Sequence, residues 1–150
     1  MDVIWNQDYK AGMNGIPFVK MHGLGNDFVV FDARITPISL SREFLIAISD
    51  RRTGIGCDQI ITLEPSKSAD LTMRIHNSDG GEAEACGNAA RCVAKLVMKE
   101  KKSNSAIIQV ASALLHAYGN TDGLISVDMG MPKFHWKEIP LSSPQDTLHM

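Results

Sequence analysis

One stretch constrains this 150-residue chain more than any other, an apolar segment with helical spacing near its middle. From Ala89 to Met98 the only charged residues are Arg91 and Lys95, and the segment continues to about Lys101. A helix that is apolar on most of its sides is normally enclosed by other structure. The rest of the chain must therefore supply enough surrounding elements to bury this helix almost completely.

Short segments with strand character lie on both sides of this helix in the sequence. Some alternate apolar and polar residues, as Leu71, Met73 and Ile75 do with their neighbours, and others are short runs of β-forming residues. Strands are expected at residues 18–21, 28–31, 58–64, 70–76, 107–110, 114–118 and 124–129. A second helix is expected at about residues 41–52. These elements predict an α+β fold in which short strands, mostly antiparallel or mixed, wrap around one central buried helix.

Charge and hydropathy exclude several classes of protein. Hydrophobic residues make up 44% of the chain and charged residues 21%, a balance typical of soluble globular domains. The net charge is −2 and basic residues form no stripe, which argues against nucleic-acid binding. No apolar run is long enough to span a membrane, and residues 1–15 lack the pattern of a signal peptide. A cytoplasmic location is therefore expected, and three cysteines do not make a disulfide framework.

Cys86 lies immediately before the central helix and is followed by Gly87 and Asn88. The first N–H groups of a helix have no intrahelical acceptor, and the helix dipole places partial positive charge at this end. A thiol in such a position is shifted towards thiolate, and the same N–H groups can bind a carboxylate. Gly87 has no side chain to block such a ligand. Cys86 therefore occupies a position where a base and an anion-binding site can coincide.

The three cysteines also have a plainer interpretation, as small buried residues. From spacing alone this interpretation remains open for Cys86. Cys92 lies six residues further along the helix, about 9 Å of rise away, so these two thiols cannot form a disulfide while the helix is intact. We assign Cys92 to packing, and Cys57, in a glycine-containing turn, is also expected to be a buried residue.

Common cofactor and metal motifs are absent from the sequence. Two Gly-x-Gly segments, at Gly23 and Gly54, lack the third glycine and the following helix of a dinucleotide fingerprint. There is no phosphate-binding Gly-Lys-Ser/Thr, no Cys-x-x-Cys spacing for zinc and no EF-hand loop after Asn77. His76 precedes Asn77 on an alternating strand and should point to the opposite face. No metal site is predicted.

Three blocks of sequence follow one another in a characteristic order. Residues 20–28 read KMHGLGNDF, residues 52–59 read RTGIGCDQ and residues 77–91 read NSDGGEAEACGNAAR. Together they resemble the diaminopimelate epimerase family, and the resemblance covers about residues 17–135. Proline racemase-like and phenazine-biosynthesis-like relatives share the fold, but the CGNAAR block is more similar to the diaminopimelate group.

This resemblance implies a fold, a reaction and a site. The family interconverts LL- and meso-diaminopimelate, in lysine and peptidoglycan-precursor biosynthesis. It uses no cofactor, whether pyridoxal phosphate, metal or redox group. Each member has two similar domains, each with a central helix wrapped by strands, and the substrate binds in the cleft between them. One cysteine from each domain faces the α-carbon, from opposite sides.

The resemblance also implies which residues of this chain form the site. Cys86 would be the catalytic thiol of the first domain. The substrate would also be contacted by backbone N–H groups at two further positions and by polar side chains at three. The implied substrate contacts are Asn26, Gln59, Asn77, Gly87 and Asn88.

The domain boundaries are expectations from the same resemblance. Residues 1–16 are expected to be a loose leader, residues 17–139 the N-terminal epimerase domain, and residues 140–150 a linker. The second thiol belongs to a C-terminal domain that would act in cis and is missing from this sequence, so the fragment alone is expected to be inactive. A homodimer is compatible with this interpretation, and neither a nucleic acid nor a membrane is an expected partner.

Two alternatives remain open at the level of sequence. The chain could be part of a related cofactor-independent racemase, of the proline or hydroxyproline type. It could also be a non-catalytic module that binds a small molecule with the same fold. The distal end of the substrate would be recognised mainly by the second half, so the residues present do not separate these alternatives.

Overall fold

The computed structural model describes residues 15–111, 113–139, 141–144 and 146–147. Its strands are β1 (Val19–Gly23), β2 (Asn26–Asp32), β3 (Gln59–Glu64), β4 (Leu71–Asn77), β5 (Glu82–Ala83), β6 (Ser105–Val110), β7 (Ala113–Gly119) and β8 (Ile125–Asp128). Its helices are α1 (Arg42–Ser49), α2 (Gly87–Lys101) and a short 3-10 helix (Trp136–Glu138). Within these ranges, no helix has the length and apolar character needed to cross a bilayer.

The strands form one mixed sheet with the order β1-β2-β3-β4-β6-β7-β8, and β5 pairs with β4 beside this path. The β2–β3 and β4–β6 pairs are parallel, whereas the other pairs are antiparallel. Parallel neighbours need a crossover connection. Helix α1 lies in the first crossover and α2 in the second. Because α2 contacts both β1 and β8, which lie at opposite ends of the sheet order, the sheet curves around this helix.

Helix α2 lies inside the curved sheet, as its composition predicts. Cys92 and Val93 are both fully buried, although successive helical residues point in different directions. The strand residues packed around α2 are apolar: Met21, Phe28, Val30, Ile61, Leu63, Leu71, Met73, Ile75, Ala106, Ile108, Val110, Leu115 and Ala117. Full burial of one large apolar side chain stabilises a fold by roughly 1.5–3 kcal/mol. This inner cluster therefore supplies most of the hydrophobic stabilisation.

Helix α1 covers part of the outer face of the sheet. Val29, Phe31 and Ile60 alternate with residues of the inner cluster, so they point away from α2. They pack with Leu45 of α1 and with Cys57 in a smaller second cluster. The sheet is therefore covered on both faces where β2 and β3 lie.

Polar side chains set both ends of α1. The Ser41 hydroxyl oxygen accepts a backbone N–H of the first turn at 3.2 Å, as an N-cap residue does. The helix ends at Ser49 because the Asp50 carboxylate accepts the N–H groups of Arg52 and Thr53 at 2.8 and 2.7 Å. The prediction of a helix as far as residue 52 is therefore wrong at this end.

The predicted α+β fold is confirmed, with mixed short strands around a central helix. Each predicted strand is present, with its ends within two residues of the expected positions. Strand β5 and the 3-10 helix were not predicted, and both are only two or three residues long. The predicted leader lies outside the described residues except for 15 and 16. The domain boundaries stay a prediction.

Candidate active site

Three amide side chains lie in a row at the edge of the sheet where α2 begins. Asn26 starts β2, Gln59 starts β3 and Asn77 ends β4, and Gln59 is the register partner of both Phe28 and Asn77. The residue two positions along each strand, which points the same way, packs against α2. All three amides therefore lie on the face of the sheet that holds α2, as a polar margin of the inner cluster.

Cys86 is the N-cap residue of α2. Its backbone is extended (φ −148°, ψ 110°), and its sulfur accepts the Ala89 N–H at 3.5 Å. Its carbonyl oxygen accepts the Ala90 N–H at 2.9 Å, which is the first hydrogen bond of the helix. Cys86 as a whole residue is half-buried, unlike the other two cysteines. The helix begins at Gly87, slightly earlier than predicted, and Cys86 directly precedes it.

The first two N–H groups of α2 belong to Gly87 and Asn88, and neither has an intrahelical acceptor. Both residues are half-buried. A Cβ atom at Gly87 would lie 3.7 Å from Arg91 Nη1 and 3.8 Å from Met129 Sδ, which are ordinary contact distances. Packing within the described residues therefore does not by itself require glycine at this position.

Asn26 contacts both Cys86 and Asn88. Its Oδ1 atom lies 3.6 Å from Cys86 Sγ and 3.4 Å from Asn88 Nδ2, and both groups donate to it. The Asn88 Oδ1 atom accepts a hydrogen bond from Arg91. A Cβ atom at Gly23 would lie 3.2 Å from the Asn88 carbonyl oxygen, so a glycine here allows β1 to approach the helix start.

Gln59 and Asn77 form a separate pair in the same row. Gln59 Nε2 donates to Asn77 Oδ1 at 2.9 Å. The other amide oxygen of this pair, Gln59 Oε1, is buried and has no hydrogen-bond partner among the described residues. Leaving a buried polar atom unpaired costs roughly 1–3 kcal/mol, so such atoms are uncommon in folded proteins. Gln59 Oε1 is thus an acceptor available to an incoming N–H donor.

A cluster of charged side chains lies next to Asn26, and sequence reasoning did not identify it. Asp58 accepts from Asn26 Nδ2 at 3.0 Å and from Arg51 at 2.7 Å. Arg51 also donates to Asp27 at 2.8 and 3.1 Å, and Lys20 contacts Asp27 at 2.8 Å. The sequence did hold one local signal for this cluster, because each of the two aspartates is a direct neighbour of a predicted site amide.

The two aspartates of this cluster are held as carboxylates. The hydrogen bond from the Asn26 amide, followed by that from the Asp27 N–H, holds the pKa of Asp58 below its usual value. Burial acts to raise the pKa of Asp27, but the hydrogen bonds from Arg51 and Lys20 outweigh it and hold this pKa well below its usual range. At neutral pH both side chains can therefore only accept hydrogen bonds.

The lowered pKa of Asp27 predicts a loss of stability in acid. Its contribution to the free energy of unfolding is complete above the unfolded-state pKa of about 3.9 and is lost as the pH falls through the lower folded-state value. Asp27→Asn should lower the free energy of unfolding by about 1–2 kcal/mol at neutral pH, and by less at about pH 2. Urea denaturation at several pH values measures this difference.

Asp122→Asn is the control for this measurement, because Asp122 is an exposed turn residue whose carboxylate accepts the Leu124 N–H. Its unfolding free energy should follow that of the unchanged protein at every pH. If the Asp27→Asn and unchanged curves ran parallel from neutral pH into acid, the ion pairs of Asp27 would not stabilise the fold.

The other two cysteines lie in the core. Cys57 and Cys92 are buried, as predicted, and burial raises the pKa of the Cys92 thiol to about 11. His76 is the register partner of Ile60, which belongs to the outer cluster, so it points away from the amide row as expected. No group of three or more His, Cys, Asp and Glu side chains in the described residues could hold a metal ion.

Comparison with known proteins decides the family. The sequence model of the family described as diaminopimelate epimerase matches residues 18–135. The chain is 54% identical over 133 residues to a diaminopimelate epimerase of Sphingopyxis alaskensis, and 50% identical over 135 residues to one of Rhodospirillum centenum. The chain belongs to the diaminopimelate epimerase family.

The family relatives are longer than this chain. Each of the two alignments covers 89% of this chain, but only 47% of the Sphingopyxis alaskensis protein and 46% of the Rhodospirillum centenum protein. The chain therefore spans about half the length of these diaminopimelate epimerases. It corresponds to the N-terminal domain of the family.

Solved structures support the fold assigned to this diaminopimelate epimerase family member. A phenazine biosynthesis protein of the PhzF family from Bacillus anthracis matches with a TM-score of 0.50 and 19% identity, over 72% of this chain and 38% of that one. A putative phenazine biosynthesis PhzC/PhzF protein from Clostridium difficile matches with a TM-score of 0.51 and 12% identity, over 71% and 44%. At these identities the likeness concerns the fold alone.

Proposed function

We propose that this chain is the N-terminal domain of an isomerase that interconverts LL- and meso-diaminopimelate without a cofactor. The observation that carries the proposal is the position of Cys86. The residue is half-buried, its sulfur caps α2, and it lies within the part of the chain that matches the diaminopimelate epimerase family. The reaction belongs to the biosynthesis of lysine and of the peptidoglycan precursor.

Inversion of an α-carbon without a cofactor needs two opposed groups. A weakly acidic proton leaves one face of the carbon, and another proton arrives on the opposite face, which a single base does not easily reach. In this proposal the Cys86 thiolate removes the α-proton of the LL substrate, and the Cys86 thiol returns a proton in the reverse direction. The second thiol comes from the other half of the enzyme.

The start of α2 stabilises the charge that develops during this transfer. When the α-proton leaves, negative charge moves onto the neighbouring carboxylate. The N–H groups of Gly87 and Asn88 donate to that carboxylate, and the helix dipole adds partial positive charge. Donors fixed in advance at this position stabilise the transition state more than the ground state.

The amide row contributes the remaining polar contacts of this domain. Asn26 lies beside the sulfur, and Gln59 and Asn77 lie further along the same margin. We assign all three to substrate binding. The buried Gln59 Oε1, which has no partner within the described residues, accepts an N–H of the substrate ammonium group.

The other half of the enzyme completes the site in this proposal. Residues 17–139 form the N-terminal domain, residues 140–150 lead towards the second domain, and the substrate binds between the two. Closure of the domains would exclude water from the reacting carbon. The fragment alone should be inactive because it supplies one face only. We place the enzyme in the cytoplasm, where thiols stay reduced, and the three cysteines are free in the structure.

A chimera tests this function. Residues 17–139 are joined to the C-terminal half of the Sphingopyxis alaskensis relative and assayed with LL-diaminopimelate in deuterated water. Deuterium should enter the α-position and meso-diaminopimelate should form, while the 150-residue chain alone should form neither. The intact relative is the positive control. A folded chimera that binds substrate without labelling it would indicate a binding module.

A further inference from the structure

Two side-chain amides near Cys86 lie in one continuous chain of hydrogen bonds. Arg51 donates to Asp58 at 2.7 Å, and Asn26 Nδ2 donates to the same carboxylate at 3.0 Å. Asn88 Nδ2 donates to Asn26 Oδ1 at 3.4 Å. At the other end, Arg91 donates to Asn88 Oδ1. The chain therefore runs from one arginine to another and passes through both amides.

The chemistry of the two ends leaves one orientation for each amide. The Asp58 carboxylate only accepts hydrogen bonds, so the group of Asn26 that faces it must be the NH₂. The Arg91 guanidinium only donates, so the group of Asn88 that faces it must be the oxygen. Both constraints agree, because they bring Asn88 Nδ2 against Asn26 Oδ1. A flip of either amide would place like groups together.

This orientation determines which group of the Asn26 amide contacts the Cys86 sulfur. With its NH₂ group held by Asp58, Asn26 can present only its oxygen to the sulfur, at 3.6 Å. A thiol can donate a hydrogen bond to that oxygen. A thiolate has no proton to donate and would face the lone pairs of the oxygen. The Ala89 N–H also donates to the sulfur, at 3.5 Å, and this contact favours the thiolate. The two contacts therefore act in opposite directions on the same atom.

We propose that Asp58 is a positioning residue of the site, which acts on Cys86 by fixing the side-chain amide of Asn26 with its oxygen towards the sulfur. With Asn26 held in this way, a Cys86 thiol has an acceptor for its proton at 3.6 Å, and a thiolate would lose this hydrogen bond. The importance of this control for epimerisation rests on the proposed function. The contacts themselves lie within this chain, so the proposal can be tested without turnover.

The test is alkylation of Cys86 by iodoacetamide in the native 150-residue chain at neutral pH, followed by peptide mass spectrometry. Only the thiolate reacts at an appreciable rate. Asp58→Ala removes the acceptor of the Asn26 NH₂ group and leaves the amide held only by the longer contact from Asn88 Nδ2 at 3.4 Å. Asn26 can then turn its NH₂ group towards the sulfur, which stabilises the thiolate. Alkylation of Cys86 should then become about threefold to tenfold faster. The buried Cys57 and Cys92 report on folding in the same samples, because they become reactive only if the variant opens.

Loss of the Asp58 charge would also favour the thiolate, and two variants separate this effect from the positioning effect. In Asp58→Asn the amide oxygen should take the place of Oδ2, where two donors meet it, the Asp27 N–H at 3.1 Å and Asn26 Nδ2 at 3.0 Å. The NH₂ group then replaces Oδ1, and the exposed Arg51 side chain, which donates to that atom, can turn away and keep its bonds to Asp27. Alkylation should then stay within about twofold of the unchanged chain, although the charge is gone. In an Asn26→Ala background, Asp58→Ala should add no more than about twofold.

Asp32→Ala is the matched control, because Asp32 also pairs with an arginine, Arg34 at 2.6 Å, but is not a partner of any residue in this hydrogen-bond chain. It should leave the alkylation rate of Cys86 unchanged.

The proposal is wrong if Asp58→Asn accelerates the reaction as much as Asp58→Ala, or if Asp58→Ala has the same effect with and without Asn26. It is also wrong if a folded Asp58→Ala chain reacts at the original rate. Should Asp58→Ala not fold, Asp58→Leu takes its place, because it also removes both acceptor oxygens and is closer in size to aspartate.

Discussion

Cys86→Ala should lower the rate of epimerisation by the chimera about 10³-fold or more. The substitution removes the base from one face of the α-carbon and leaves the N–H groups of Gly87 and Asn88 in place. Because those groups still bind the carboxylate, kcat should fall much further than KM changes. Proton NMR of the α-position in deuterated water measures the rate of label entry for each variant.

Cys92→Ala is the matched control for this prediction. It makes the same chemical change six residues further along α2, at a fully buried position away from the N-cap. It should lower stability but leave the labelling rate within about twofold of the original. Cys86→Ser keeps a small polar group at the cap without an acidic thiol and should be nearly as slow as Cys86→Ala. Retention of more than about a tenth of the rate by Cys86→Ala would show that Cys86 is not the base.

The central part of the fold could be predicted because its signals are local. The composition of α2 required an enclosed helix, and residues 71–75 alternate as a half-buried strand does. Alternation also predicted that His76 and Asn77 point to opposite faces. The position of Cys86 at a helix start followed from the apolar run after it. These features depend on residues only a few positions apart.

Other features depend on contacts between distant parts of the chain. Asp58 meets Asn26 across 32 positions of sequence, and Arg34 meets Glu100 across 66. Neither pairing follows from the residues next to these positions. The strand order and the place of α1 on the outer face also depend on which crossovers the chain makes. The end of α1 was misjudged because the Asx turn at Asp50 competes with continuation of the helix.

The site depends on the core because the same strands carry both. In β2 the inward positions hold Asn26 at the margin and then Phe28 and Val30 in the inner cluster. In β4 the same change occurs between Ile75 and Asn77. The amide row is therefore a continuation of the core. Loss of packing beneath it should also disturb the contacts around Cys86.

Phe28→Ala should lower the free energy of unfolding by about 3–5 kcal/mol. Phe28 is fully buried in the inner cluster, and it pairs with Gln59 and lies two residues from Asn26. The total free energy of unfolding of a domain is typically about 5–15 kcal/mol, so the variant should unfold at a much lower urea concentration. Urea denaturation followed by circular dichroism measures the change.

Phe134→Ala is the control, because it deletes the same side chain at a position that is 60% exposed and should cost less than about 0.5 kcal/mol. The two phenylalanine variants together separate loss of packing from loss of an aromatic ring. In folded Phe28→Ala, Cys92 should also react faster with iodoacetamide, since the cavity beside α2 lets the helix open more often. If Phe28→Ala cost no more than Phe134→Ala, the sheet would not be packed against α2 at this point. The amide row would then have no fixed position relative to Cys86.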